Sequence, residues 1–151
     1  MAFTDPFEES ASLNEILIEE EIADYLKAQG FGNREGESRP IIFVGQAPES
    51  GKAIVIFEEG GAPPITGGHT DQPIGERRTI SVQTVHADYR KSKAVSQRIS
   101  RALHLKQGIL SSVKVALIQA DMQAVYLGKG PDQRHRFSQL FSATTKPIEA
   151  P

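Results

Sequence analysis

Two periods of hydrophobic spacing organise the chain. Leu13, Leu17, Ile18, Ile22, Tyr25 and Leu26 recur at three- and four-residue intervals, which predicts an amphipathic helix. Ser12 stands where an N-cap is needed and Glu15 completes a capping box, while Gly30, followed by Gly32, ends the run. Glu19, Glu20, Glu21 and Asp24 are expected largely on its wet side. Residues 41–44 form a short apolar run, and the glycine- and proline-containing stretch 45–52 reads as a hairpin-like turn. Residues 53–57 are continuously apolar, as in a strand buried on both faces, and Glu58 and Glu59 close it. Residues 60–75 hold five glycines and three prolines, so they read as a long loop that contributes nothing to a core. Residues 79–86 alternate, with Ile80, Val82 and Thr84 on one side.

Asp88 then predicts an N-cap for a second helix. Ala94, Val95, Ile99, Ala102 and Leu103 are its apolar positions, its basic residues lie on the other flank, and Gly108 is its stop. Residues 113–118 alternate weakly as a strand, 122–127 form an apolar segment, and 128–131 read as a turn. Residues 136–145 predict a closing strand, although the four-residue spacing of Phe137 and Phe141 also suits a helix. The order predicts an α+β fold: an antiparallel sheet of about four to five strands with two main helices packed on one face. Residues 1–12 read as a flexible acidic leader, 13–145 as a single domain and 146–151 as a flexible tail.

Charge sharpens this picture. The net charge is −2, which argues against a surface built generally to coat nucleic acid. Its distribution is uneven. Residues 1–26 carry eight acids and no Lys or Arg; residues 89–120 carry seven bases and no acid. Two solvated faces of opposite sign are the plain reading. The sharper one is head-to-tail complementarity between identical subunits, with Glu19, Glu20 and Asp24 facing Arg98 and Arg101. The chain has no cysteine, so disulfides, thiolate metal sites and cysteine nucleophiles are excluded. No apolar run is long enough to span a bilayer, and no signal peptide is visible, so a soluble protein with no membrane partner is expected.

Candidate chemistry is sparse. The stretch 45–52, GQAPESGK, has five residues between its glycines where a phosphate loop has four. Ala53 stands where a Mg²⁺-binding hydroxyl is required, and a strand follows instead of a helix N-terminus. His69 and Asp71 form a His-x-Asp pair without a third ligand nearby, and the four histidines show no metal-ligand spacing. No catalytic motif, cofactor or metal is expected, and the chain reads as a non-enzyme.

Several strings resemble the tail-terminator or minor capsid (head–tail joining) proteins of long-tailed bacteriophages. They are ILIEEEIADYLKAQGFG (16–32), IFVGQAPES (42–50), VIFEEGGAPP (55–64), VQTVHADYRKSKAVSQRISRALH (82–104) and RHRFSQLFSATTKP (134–147). The resemblance spans residues 13–147. It implies a structural virion protein, assembled in the bacterial cytoplasm, whose subunits form a ring, typically a hexamer. Such a ring terminates the tail tube and joins it to the head connector. Its partners are further copies of itself, the tail-tube protein and the connector protein, with DNA only as cargo passing through. The loop is the expected partner contact through Gly60, Gly61, Pro63, Pro64, Thr66, His69 and Asp71. The competing expectation is a nucleic-acid-binding or regulatory module that uses the basic helix 89–106.

Overall fold

A computed structural model describes residues 17–61, 65–66, 73–110 and 113–145. The first described helix, α1, covers Ile18–Ala28. Its N-cap is Leu17, with no side-chain cap; Ser12 and Glu15 lie outside the described residues. Ile18, Ile22, Ala23 and Leu26 are buried as one stripe. Glu21 is buried with them, against the expectation of a wet position, because it stands three residues after Ile18 and so borders the same helix face.

Nine strands follow the helix pattern: β1 (Asn33–Arg34), β2 (Pro40–Val44), β3 (Ala53–Gly61), β4 (Ile65–Thr66), β5 (Pro73–His86), β6 (Lys106–Leu110), β7 (Val113–Ala120), β8 (Val125–Lys129) and β9 (His135–Thr145). The second helix, α2, covers Tyr89–Leu103. The strands make one sheet in the order β1-β2-β3-β5-β9-β7-β6, with β4 beside β5 and β8 beside β9. β1, β2 and β3 are mutually parallel; the other pairings are antiparallel.

This corrects the expected fold class. An antiparallel sheet of four to five strands carrying two helices on one face is replaced by a mixed sheet about twice as large. The first reason is the link 45–52, which is a crossover and not a hairpin. Ile42, Phe43 and Val44 pair in parallel with Ile54, Val55 and Ile56. Eight extended residues reach about 25 Å, enough to return the chain to the start of a strand this short. The link crosses the sheet face opposite the helices, where Ala47 packs with Phe43 and Phe57 onto Ala53, Val55 and Val85. The second reason is length: β3 continues past Glu58 and Glu59, and β5 begins six residues before the alternating stretch. Gly108 is a strand residue in β6, since α2 already ends at Leu103. The turn expected at 128–131 shifts, because Gly128 and Lys129 belong to β8.

The main core lies between the sheet and both helices. Ile54 and Ile56 from β3, Ile80 and Val82 from β5, Phe141 and Ala143 from β9 and Ile118 from β7 meet Ile22, Leu26, Ile99 and Leu103. β3 is thus buried on both faces, as its unbroken apolar run predicts. β9 is buried at every second residue from Phe137 to Thr145. A separation of four falls on one face of a strand as well as of a helix, and pairing with β5 over eleven positions decides for the strand. Gly32 permits β2 to approach: it has φ +140°, and a Cβ there would lie 2.9 Å from the Ile41 Cβ.

One buried cation fastens the second face. Arg134 is 6% exposed. Its Nη1 donates to the Gly51 carbonyl and its Nη2 to the Pro48 carbonyl, both at 2.9 Å. Its Nε donates to Asp132 at 2.6 Å. That guanidinium holds the Asp132 carboxyl below its ordinary pKa. The crossover is therefore tied to the turn that precedes β9.

Candidate assembly surface

The geometry of α2 is set at its first turn. The Asp88 carboxylate accepts from the Arg90 amide at 2.9 Å and the Lys91 amide at 3.3 Å. These bonds, that from Lys91 foremost, lower its pKa. The Asp88 amide in turn donates to His86 Nδ1 at 2.8 Å. Burial, and secondarily the charge of Lys91, lowers the His86 pKa. The stripe that α2 buries is Ser92, Ser96, Ile99 and Leu103. The sequence reading missed the two serines and placed Ala94, which is exposed, on the apolar side. The Ser92 hydroxyl donates to the Thr84 carbonyl at 3.0 Å and the Thr84 hydroxyl to the Ser92 carbonyl at 3.0 Å, which makes these polar groups compatible with burial. The four–three–four spacing of these positions was the available signal.

This orientation leaves the basic residues of α2 outside. Arg98 stands over the Phe31 ring at 5.2 Å. Lys93 and Arg101 make no ion pair among the described residues, and they line a groove of about 640 Å³ with His104, Met122, Phe137 and Gln139. Gln139 is the polar residue between Phe137 and Phe141 on the inward side of β9. Its Nε2 donates to the Ser100 hydroxyl at 2.8 Å and the Met122 carbonyl at 3.2 Å. Its Oε1 is buried and has no partner among the described residues.

Beyond the groove runs β8. Met122 is 46% exposed, Val125 42%, Tyr126 41% and Leu127 52%. β8 pairs with Val125↔Ser138 and Tyr126↔Phe137 on its β9 side; its other edge is free among the described residues. Tyr126 is anchored through its hydroxyl to His135 Nδ1 at 2.7 Å and through edge contact with Tyr89 at 5.2 Å. An apolar strand edge therefore lies beside an unpaired basic helix flank.

The acidic residues lie on the other side of the helix pair. Tyr25 donates to the Ala102 carbonyl at 3.3 Å, so α1 abuts α2. The opposite flank of α1 meets β1, where Arg34 binds Glu20 and also Asp24, the latter at 2.5 Å. Burial opposes the Arg34 charge, but these bonds outweigh it and raise its pKa. Lys27 pairs with Glu37 at 2.6 Å. Glu19 stays on α1, with one carboxylate oxygen buried and unpartnered among the described residues. Glu20 and Asp24 are thus engaged on the β1 side of α1, and none of Glu19, Glu20 and Asp24 lines the groove that Arg101 lines.

In the third expected element, residues 60–75, the described residues 60–61, 65–66 and 73–75 belong to the sheet. Gly60 and Gly61 end β3, and Thr66 in β4 pairs with Pro73 of β5. Pro63, Pro64, His69 and Asp71 lie outside the described residues. Among the described residues, no three metal-ligating side chains gather, and no helix is long and apolar enough to cross a membrane.

No family model matches the chain, and no curated protein matches it. Among solved structures, one chain of the virion of a native gene transfer agent particle is similar over 68% of this chain and 74% of its own. The identity is 16% and the TM-score 0.49, a likeness too slight to define fold or function.

Proposed function

We propose that this chain is a structural assembly protein of a long-tailed bacteriophage, forming a ring that terminates the tail tube and joins it to the head connector. One observation carries the reading: the chain presents two unlike flanks on opposite sides of its helix pair. One holds the acids of α1 with Arg34; the other holds the unpaired bases of α2 beside the exposed edge of β8. Unlike flanks favour a head-to-tail contact, and such contacts close into a ring when the rotation divides a full turn. The sequence strings that resemble tail terminators add the tail tube, the connector and a hexameric ring. Residues 60–75 are the segment offered to the tube.

The test is charge reversal. Arg98→Glu with Arg101→Glu is expected to weaken the ring at least tenfold at low salt, read by sedimentation, while the melting temperature falls by no more than about 4 °C, the cost of losing the Arg98–Phe31 contact. An unchanged assembly would sink the charge contact. The unpaired bases also favour the nucleic-acid-binding module. On that reading the same variant would instead lose a salt-dependent association with DNA.

A further inference from the structure

We propose that the groove between α2 and the segment 120–124 receives residues 1–12 of a second copy of this chain, a contact that rests on the ring reading above. The groove states what it needs. Lys93 and Arg101 along its rim call for acid, Met122 and Phe137 for apolar side chains, and the neighbouring edge of β8, free among the described residues, for an extended backbone.

Residues 1–12, MAFTDPFEESAS, supply this set: Asp5, Glu8 and Glu9 without one base, interleaved with Phe3 and Phe7. The acids of α1 are less suited, since Arg34 already engages Glu20 and Asp24. A second β8 is less suited as well, because a two-fold contact would set Lys93, Arg101 and Lys129 against their own copies. Reach is ample. Twelve extended residues span about 40 Å, and α2 is about 22 Å long. A segment seated on the neighbouring copy makes the contact heterologous, which is the kind a ring requires.

The absence of cysteine makes the test clean. Phe7→Cys together with Gln123→Cys introduces two thiols into a chain that has none. Mild oxidation of the full-length double variant is expected to give a ladder of covalent multimers on a non-reducing gel. Each single variant stops at dimers. Adding Lys93→Glu and Arg101→Glu is expected to reduce the ladder at least tenfold without moving the melting temperature.

Cross-linked monomers alone would overturn the proposal in favour of a segment that folds onto its own groove. Products no larger than those of the single variants would overturn it outright. Native mass measured on the reduced sample separates the two readings. A closed ring without a ladder refutes this contact and leaves the ring; a ladder without a closed ring refutes the ring and leaves the contact.

Discussion

Replacing Arg134 with alanine removes the fastening between the crossover and the β8–β9 turn. Two charge-assisted bonds disappear, to the carbonyls of Pro48 and Gly51. Bonds to a charged donor contribute roughly 1.5–3 kcal/mol each, and the lower end applies because both acceptors sit on a wet loop and regain water. The pairing with Asp132, a residue on an exposed turn and already shared with Arg136, adds little. The expected loss is therefore about 3 kcal/mol, or roughly 6–12 °C in melting temperature for a chain of this size. Urea denaturation followed by circular dichroism reads it directly. Arg134→Lys, which reaches one carbonyl at most, should recover less than half. Arg136→Ala is the control: Arg136 binds the same Asp132 at 2.8 Å from a more exposed position, and should change stability by less than about 0.5 kcal/mol. A loss below about 1 kcal/mol for Arg134→Ala would refute the idea that this cation holds the crossover.

Other consequences follow from single positions. Gly32→Ala should cost about 1–3 kcal/mol in urea titration, because the new methyl meets the Ile41 side chain on a strand that cannot retreat. His86 should make stability depend on acid. Its folded pKa is lowered, so the unfolded chain takes up the proton first; the contribution is complete above pH 6.5 and is lost as pH falls toward the folded pKa. His86→Gln should flatten the melting-temperature profile below that pH, and an unchanged slope would contradict the assignment.

Much of the secondary structure was legible because each clear element states its period more than once. β9 repeats an inward residue at every second position from Phe137 to Thr145, β3 opens on the uninterrupted apolar run 53–57, and α2 carries both an N-cap and a repeating stripe. What stayed illegible depends on contacts distant in sequence. The link 45–52 has the composition of a tight turn, and only the packing of Ala47 and the reach of Arg134 from more than eighty residues away make it a crossover. Gly60 and Gly61 read as loop, yet the register with Thr79 and Arg78 keeps them in the sheet. The strand 79–86 was visible but not its first six residues, since Pro73 and Gly75 weaken the local signal and pairing with β4 and β9 overrides it.

The candidate surface was half legible. The charge run of α2 marked Lys93, Arg98 and Arg101 without reference to any fold. The groove did not show, because it exists only when residues 120–124 pass alongside α2 and β8 stands next to it. Arg34 likewise gave no signal as the partner of Glu20 and Asp24, since fourteen and ten residues separate them.

The mass of the purified full-length protein in solution, taken by native mass spectrometry with negative-stain imaging of the same sample, tests the central claim most directly. A closed ring of identical subunits with a central opening, a hexamer on the resemblance, is the expected result, and it should cap purified tail tubes at one end. A two-fold dimer, or a protein that stays monomeric with tail tubes present, would contradict it.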